Sequence, residues 1–265
     1  MAQAQHDMAE LTEVAHALAD AAGAAIQPYF RTKLTPENKD AQGFDPVTIA
    51  DRAAEAAMRD VLAIRRPQDG IYGEEYGRQD GTSGLTWVLD PIDGTRAFIC
   101  GAPTWGCLIG LDDGSGPILG IVDQPHTGER FFGGPNGATL THHGITTSLQ
   151  TNRATTALSG AKLLTTFPEV GQAAERAAFE RVRDQVQLTR YGLDCYAYAL
   201  IATGQVDLVI EAGLNAYDIQ GPQAVIEAAG GIVTTWDGGP AHQGGRILAA
   251  GNKALHQAAM DLLNS

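Results

Sequence analysis

The sequence is short of basic residues and contains no long hydrophobic run. Its 265 residues include 18 lysines and arginines against 31 aspartates and glutamates, which gives a formal net charge of −13. A nucleic-acid-binding protein is expected to carry a basic patch, and this balance argues against one. No stretch approaches the roughly 18 consecutive apolar residues that a membrane-spanning helix needs. We therefore expect neither nucleic acid nor a membrane as a partner.

Cysteine is scarce, and the N-terminus lacks targeting features. Cys100, Cys107 and Cys195 are odd in number and have no metal-type spacing, so we expect free thiols in a reducing compartment and no disulfide framework. No basic stretch followed by an apolar core opens the chain, so no signal peptide is predicted. The expected location is the cytoplasm.

The hydrophobic content, 44% of the residues, is sufficient for the core of one large domain or two small ones. Apolar side chains recur every three to four residues from Met8 to Phe30, which predicts an amphipathic helix. A second helix is predicted from Thr48 to Pro67. A polar loop, residues 31–46 with Lys39 and Asp40, connects the two.

The remaining pattern predicts a mainly antiparallel region followed by an alternating one. Turn residues separate predicted strands at Thr104–Leu111, Pro117–Asp123 and Glu129–Phe132, and residues 133–152 predict more strand and turn. The predicted strands after that are 162–166, 188–190, 207–212, 231–235 and 247–250, and the predicted helices are 171–187, 194–202, 221–229 and 253–263. We expect an N-terminal α+β part, residues 1–152, and a C-terminal α/β part, residues 153–265, that completes the functional site.

One segment places two carboxylates at the end of a predicted strand. The apolar run Leu85–Leu89 is followed by Asp90-Pro91-Ile92-Asp93-Gly94-Thr95. Asp90 and Asp93 lie three residues apart across a proline, so both side chains can point to one side while the carbonyl of Ile92 stays free. Such a set of hard oxygens suits Mg²⁺. Asp-Pro and Asp-Gly are also ordinary turn sequences, and that alternative stays open for the segment alone.

A second acidic segment lies fifteen residues upstream. The strand-like Gly70-Ile71-Tyr72 runs into Gly73-Glu74-Glu75. Two acidic strand ends this close in sequence can share one site, and like charges packed together destabilise each other unless a cation neutralises them. Bound metal is the simplest explanation.

Two further aspartates have structural alternatives. Thr48 followed by Asp51 resembles a capping box, which is sufficient to explain Asp51. Asp218 lies just before a predicted helix whose Pro222 fits the first turn. There it either stabilises the helix through the macrodipole or contributes to a metal-bridged phosphate site.

Three separated motifs resemble one enzyme family. Gly73-Glu74-Glu75, the segment from Asp90 to Thr95, and Tyr217-Asp218 with Gly221-Pro222 and Glu227-Ala228-Ala229-Gly230-Gly231 are similar to the inositol monophosphatase family of Mg²⁺-dependent, lithium-sensitive phosphatases. The resemblance covers nearly the whole chain. It implies a layered α+β fold, helix, sheet, helix, sheet, helix, and a homodimer.

The resemblance also implies a set of metal ligands. Glu74, Asp90 and the carbonyl of Ile92 would hold a first Mg²⁺, and Asp90, Asp93 and Asp218 a second. A third, weaker ion would lie near Glu74.

The implied reaction is hydrolysis of a phosphomonoester by a metal-activated water. Asp51 paired with Thr95 would orient or deprotonate that water, with Glu74 as a further catalytic residue. The backbone N–H groups of Gly94 and Thr95 would bind the phosphate.

The expected substrate comes from a closer resemblance. The segments from Arg96 to Gly101, Val122 to Pro125 and Gly192 to Tyr198 resemble the histidinol-phosphate phosphatase branch, which implies a role in histidine biosynthesis. Asp194 and Glu211, together with the metal ligands Asp93 and Asp218, would contact the substrate, since carboxylates suit a cationic amine. Asp194 could instead be a helix N-cap, and Glu211 a solvated edge residue.

Three other readings remain at this point. The first is a phosphatase that forms a phosphoaspartate, as haloacid dehalogenase-type enzymes do, but its acids are spaced differently from Asp90 and Asp93. The second is a phosphatase of the same family that acts on inositol phosphate or another small sugar or nucleotide monophosphate. The third is a non-catalytic module that binds metal or phosphate, which would not need the pair Asp51 and Thr95.

Overall fold

A computed structural model describes residues 7–33, 35–38 and 46–265 of the chain. Half of the predicted loop 31–46, including Lys39 and Asp40, lies outside the described residues. Within this segment β1 (Glu37–Asn38) pairs with β2 (Pro46–Val47) in a small antiparallel ladder. Among the described residues, no helix combines the length and hydrophobicity that crossing a bilayer requires.

Two paired helices open the fold. Helix α1 (Met8–Ile26) begins at Asp7, whose side chain accepts the backbone N–H groups of Ala9 and Glu10. Helix α2 (Ile49–Arg65) begins at Thr48. Both helices bury an apolar stripe against each other and against a sheet, as their hydrophobic periodicity predicts.

The larger sheet has eight strands in the order β10-β9-β8-β7-β6-β5-β3-β4. Its strands are β3 (Gly70–Gly73), β4 (Gly77–Gln79), β5 (Thr86–Asp93), β6 (Gly106–Asp112), β7 (Pro117–Gln124), β8 (Glu129–Gly134), β9 (Gly137–His142) and β10 (Ile145–Ser148). The predicted meander is confirmed from β6 onward. Strands β3 and β5 are parallel, so their carboxyl ends meet at one edge of the sheet.

The smaller sheet has five strands in the order β12-β11-β13-β15-β14. Its strands are β11 (Lys162–Thr165), β12 (Leu188–Tyr191), β13 (Leu208–Leu214), β14 (Ile232–Thr235) and β15 (Gly245–Ala250). The remaining helices are α3 (Thr95–Cys100), α4 (Ala173–Arg183), α5 (Asp194–Ala202), α6 (Ala216–Ala228) and α7 (Lys253–Leu263). The alternation predicted for this half is confirmed.

Strand alternation builds a layered core, because successive side chains point to opposite faces of a sheet. In β6, Ile109 packs towards α1 and α2, whereas Leu108 packs towards α5 and α6. In β13, Val209 packs on the same α5 and α6 layer, whereas Leu208 and Ile210 face α4 and α7. The layers are therefore helix, sheet, helix, sheet, helix, which confirms the expected fold class. The division at residues 152 and 153 stays a prediction.

Glycines bring α6 against the larger sheet. Gly110, Gly120 and Gly133 are cross-strand neighbours in β6, β7 and β8. A β-carbon on Gly120 would lie 2.5 Å from the carbonyl oxygen of Gly221 in α6, and one on Gly110 would lie 2.9 Å from Cβ of Gln220. The helix backbone therefore lies directly on the sheet backbone, a close approach that only glycine permits.

Two local predictions are wrong. The strand predicted to end at Leu89 continues as β5 to Asp93, with a register shift between Asp90 and Asp93. Helix α6 begins at Ala216 and not at 221, so Pro222 lies inside the helix and Asp218 in its first turn. Asn215 starts this helix in a capping box with Asp218, which outweighs the proline as a start signal.

Candidate active site

Three carboxylates from two distant segments form an acidic cluster, which we define as Asp90, Asp93 and Asp218. One oxygen from each side chain lies within 4.8 Å of the others. Asp90 is almost completely buried, and the other two are partly exposed. The register shift in β5 and the bond from the Ile92 N–H to Oδ1 of Asp90, 3.0 Å, turn the end of this strand.

Asp218 reaches the cluster because the glycine-lined contact holds α6 against the sheet. Its Oδ2 also accepts the backbone N–H of Asn215 at 2.6 Å. Asp218 therefore has a structural role at the start of α6, although through a capping box and not only through the macrodipole. The same carboxylate also belongs to the cluster, so the two roles do not exclude each other.

Glu74 lies beside this cluster. Its backbone N–H donates to the carbonyl oxygen of Leu89 at 3.1 Å, which continues the parallel pairing of β3 with β5. Its carboxyl group hydrogen-bonds to Asp90 and contributes to the raised pKa of Asp90. The two acidic strand ends predicted to share a site do meet.

The electrostatics of the cluster favour a bound cation. Burial raises the pKa of Asp90 well above its usual range, and the charges of Glu74, Asp93 and Asp218 raise it further. Burial also raises the pKa of Asp93. Such carboxylates are costly to ionise together without a counter-charge. Their all-oxygen chemistry and mutual distances fit a hard divalent cation such as Mg²⁺.

The residues after the cluster make a tight turn into α3. Gly94 has a φ of +82°, a backbone conformation that favours glycine, and is followed by Thr95 as the first helical residue. The Thr95 hydroxyl donates to the carbonyl oxygen of Ile92 at 3.2 Å. This carbonyl, a predicted metal ligand, thus faces the same turn as the predicted phosphate-binding residues.

Asp51 is buried at the start of α2, where it completes the predicted capping box. Its Oδ2 accepts the backbone N–H of Thr48 at 2.8 Å and also the Thr48 hydroxyl. The structural role of Asp51 is therefore confirmed. Its pairing with Thr95 to activate water stays a prediction.

Asp194 lies directly against Gly94. A β-carbon on Gly94 would be 2.9 Å from Cβ of Asp194. Asp194 is the first residue of α5 and not its N-cap, and it has a φ of +47°. Its Oδ2 accepts the Thr104 hydroxyl at 3.3 Å. Burial raises the pKa of Asp194, while Thr104 and the positive charge of Arg96 act in the opposite direction.

Glu211 is a buried residue and not a solvated edge residue, because β13 is a central strand of its sheet. Its Oε1 accepts the backbone N–H of Thr166 at 2.9 Å, and its Oε2 accepts the Tyr198 hydroxyl at 3.0 Å. Burial raises the pKa of Glu211 to about 7, although these hydrogen bonds oppose the shift.

A cavity of about 320 Å³ connects these groups. Its lining includes Asp93, Gly94, Thr95, Asp194, Glu211 and Asp218, and therefore most of the residues predicted from the sequence. Phe167 and Glu169 also line this cavity, and no motif in the sequence singled them out. Arg96 lies with its guanidinium carbon 5.1 Å from the Phe167 ring centroid. The loop that holds Phe167 and Glu169 has no hydrophobic periodicity. The only sequence signal there is an aromatic residue directly before a proline, Phe167-Pro168.

The layered fold and its acidic cluster define a metal-dependent phosphatase, a phosphoric monoester hydrolase. A sequence profile of the inositol monophosphatase family matches residues 7–265. The chain belongs to this family, whose members act on small phosphomonoesters. The phosphoaspartate and non-catalytic readings are therefore set aside.

Similar proteins carry more than one name. The chain is 43% identical over 261 residues to the chloroplastic bifunctional phosphatase IMPL2 of Arabidopsis thaliana, covering 94% of this chain and 74% of that one. It is 33% identical over 258 residues to a histidinol-phosphatase of Streptomyces coelicolor, covering 95% and 96%. A solved inositol monophosphatase from Zymomonas mobilis is 38% identical with a TM-score of 0.86, covering 98% and 100%.

Proposed function

We propose that this phosphatase hydrolyses histidinol phosphate to histidinol and phosphate with Mg²⁺ as its cofactor. The observation that carries the proposal is that the carboxyl groups of the partly buried Asp194 and the buried Glu211 line the same cavity as Asp93. The leaving alcohol of histidinol phosphate carries an ammonium group, which carboxylates bind through charge-assisted hydrogen bonds. The similarity to a histidinol-phosphatase supports the same substrate.

The metal ligands in this proposal come from both halves of the chain. Glu74, Asp90 and the Ile92 carbonyl would hold a first Mg²⁺, and the acidic cluster a second. A weaker third ion would lie near Glu74. When bound, Mg²⁺ lowers the pKa of a ligated water and neutralises charge on the phosphoryl group.

The chain itself orients the substrate and the water. The backbone N–H groups of Gly94 and Thr95 bind phosphate oxygens at the turn where β5 ends. Asp51 and the Thr95 hydroxyl hold the attacking water in line with the phosphorus atom. This positioning contributes a large part of the rate, because phosphoryl transfer needs little covalent chemistry from the protein.

Asp194 and Glu211 bind the leaving group. Asp194 is adjacent to the phosphate-binding turn. Glu211 lies on β13 of the smaller sheet, where Thr166 and the Tyr198 hydroxyl of α5 hold its carboxyl group. A cationic amine between them should bind more tightly than a neutral hydroxyl, because its positive charge offsets the cost of burying the negative charges. Homodimer formation and a cytoplasmic location remain part of the proposal and rest on the family resemblance and composition.

Inositol phosphate is the second candidate. Carboxylates also accept hydrogen bonds from sugar hydroxyls, so the same two residues could bind a polyol. The 38% identical solved structure, named an inositol monophosphatase, favours this reading.

Initial rates of phosphate release distinguish the two candidate substrates. We expect the purified chain with Mg²⁺ to have a higher kcat/KM for histidinol phosphate than for inositol 1-phosphate. Asp194→Asn keeps the side-chain size, and asparagine tolerates the positive φ, while the negative charge is lost. It should reduce kcat/KM for histidinol phosphate by roughly 10-fold or more, the effect of losing one charged hydrogen bond.

The loss on inositol 1-phosphate serves as the internal control and should be smaller. Equal losses on both substrates, or a wild-type preference for inositol 1-phosphate, would remove the argument for a cationic leaving group. Phosphate release without any added divalent cation, after treatment with a chelator, would contradict the metal-dependent mechanism.

A further inference from the structure

A fully buried carboxylate on α2 holds the turn that carries Glu74. Glu55 has 0% of its surface exposed. Its Oε2 accepts the backbone N–H of Glu75 at 2.6 Å, and its Oε1 accepts the backbone N–H of Tyr76 at 3.2 Å. The carboxyl group lies so close to Gly73 that a β-carbon there would overlap with it.

The charge of Glu55 is compensated one helical turn away. Nε of Arg59 lies 2.8 Å from Oε1 of Glu55, and Nη2 of Arg59 donates to the carbonyl oxygen of Gly77 at 2.6 Å. The guanidinium carbon of Arg59 lies 5.8 Å from the centroid of the Tyr76 ring. Buried ion pairs persist where extra hydrogen bonds satisfy both partners, as they do here.

Three consecutive backbone N–H groups are thereby fixed from two sides. The N–H of Glu74 donates to the carbonyl oxygen of Leu89 on β5, and those of Glu75 and Tyr76 donate to Glu55 on α2. The side chain of Glu74 therefore extends from a backbone that has little freedom to rotate.

We propose that Glu55 is a positioning residue for the metal site, because it fixes the turn after β3 so that the Glu74 carboxylate stays against Asp90. The inference rests on the proposed role of Glu74 as a metal ligand. Without the metal, the negative charges of Glu74 and the acidic cluster repel one another. A turn held only by its own strand would move Glu74 outwards, and metal binding would then have to bring it back.

Glu55 also connects this turn to the predicted water site. Asp51 and Glu55 are four residues apart and both buried, so they share one face of α2. The same rigid helix therefore holds the residue proposed to orient water and the residue that fixes the ligand turn. Residues that orient metal ligands from behind affect metal affinity strongly.

Glu55→Gln tests the proposal, because glutamine keeps the size and one acceptor but cannot accept both N–H groups and pair with Arg59. We expect the Mg²⁺ dissociation constant, measured by isothermal titration calorimetry on the purified full chain, to rise by roughly 10-fold or more. The kcat at saturating Mg²⁺ should recover most of the wild-type value, since the Glu74 side chain itself is intact.

Asp69→Asn is the matched control. Asp69 is another buried carboxylate paired with an arginine, 2.8 Å from Nε of Arg66, and it accepts the Trp87 indole N–H at 3.0 Å. It lies at the opposite end of β3 from Glu74. The Asp69→Asn substitution should lower the melting temperature without changing the Mg²⁺ dissociation constant. The milder Arg59→Lys keeps the positive charge but cannot bind Glu55 and the Gly77 carbonyl oxygen at the same time, so it should raise the Mg²⁺ dissociation constant by an intermediate amount. This variant replaces Glu55→Gln in the test if Glu55→Gln does not fold.

Glu74→Gln separates this inference from the proposed function. If Glu74→Gln binds Mg²⁺ as the wild type does, the proposed ligand role of Glu74 is wrong. If Glu74→Gln weakens Mg²⁺ binding while Glu55→Gln and Arg59→Lys only lower the melting temperature, as Asp69→Asn does, Glu55 is a structural residue and the positioning proposal is overturned.

Discussion

The backbone N–H of Cys195 donates to Oδ2 of Asp93 at 2.6 Å, although the two residues are 102 positions apart. Asp93 ends β5 of the larger sheet, and Cys195 lies in the first turn of α5, whose N-cap Leu193 offers no side-chain acceptor. One carboxylate thus supplies the missing helix cap and belongs to the acidic cluster. It joins the larger sheet to helix α5 at the site.

This double role predicts different outcomes for two substitutions. Asp93→Asn keeps an acceptor for Cys195 but loses a charge that we propose binds Mg²⁺, so Mg²⁺-dependent phosphate release should fall by roughly 100-fold or more while the fold stays intact. Asp93→Ala should lose activity and also about 1.5–3 kcal/mol of stability, the range for a hydrogen bond to a charged group. Phosphate release and urea denaturation measure the two effects. Turnover retained in Asp93→Asn would refute the site.

Gly94 is required for two reasons that a paired substitution can separate. Alanine at 94 would adopt an unfavourable φ and also meet Asp194. Gly84 has a similar φ of +86° and no heavy atom within 4 Å of an added β-carbon. Gly84→Ala should therefore cost only the backbone strain, roughly 1–2 kcal/mol, at full activity.

Gly94→Ala should cost more stability than this control and should also raise KM, because Asp194 and the turn that we propose binds phosphate must move apart. Thermal denaturation and steady-state kinetics on both variants measure this. Equal behaviour of the two variants would mean that the contact between Gly94 and Asp194 has no functional weight.

The raised pKa of Glu211 predicts a pH-dependent stability. Its pKa of about 7 lies above the roughly 4.3 of a glutamate in an unfolded chain. The native state therefore holds the proton more tightly, and the stability that this supplies is fully present below about pH 4 and lost as the pH rises through about 7. Between these values the free energy of unfolding of the wild type should fall relative to that of Glu211→Gln, by up to about 3 kcal/mol.

The same titration should affect substrate binding. As Glu211 ionises towards pH 8, KM for histidinol phosphate should fall more than KM for inositol 1-phosphate, whose phosphate titrates similarly. Glu211→Gln should abolish this difference. Parallel pH profiles for both substrates in the wild type would exclude a contact between Glu211 and the ammonium group.

The glycine contact under α6 predicts that packing outside the cluster affects metal binding. Gly120→Ala would place a β-carbon 2.5 Å from the Gly221 carbonyl oxygen and force α6 away from the sheet. Overpacking of this kind costs roughly 1–3 kcal/mol. Because α6 carries Asp218, the Mg²⁺ dissociation constant should rise as well. In Gly160→Ala the nearest atom is 3.6 Å away, so that variant should match the wild type in both calorimetric titration and thermal denaturation.

The sequence by itself determined most of the local structure and pointed to the carboxylates of the acidic cluster. Helices α5 and α7 have the predicted bounds, because hydrophobic periodicity reports which face each segment buries. Asp90 and Asp93 can be recognised from the sequence as candidate metal ligands, because two carboxylates and a turn lie within six residues. The sequence also contains the signal for the true start of α6, because Asn215 and Asp218 have the spacing of a capping box.

Only the tertiary structure decided what these residues meet. Glu211 is buried because β13 lies between β11 and β15, a neighbourhood that its own strand pattern does not contain. Asp194 contacts Gly94, which lies 100 residues earlier in the sequence. Glu55, on α2, binds the turn after Glu74, which follows β3. Periodicity encodes which side chains face inwards, but the partner of a buried polar group is fixed by the packing of whole layers, and that is a property of the complete fold.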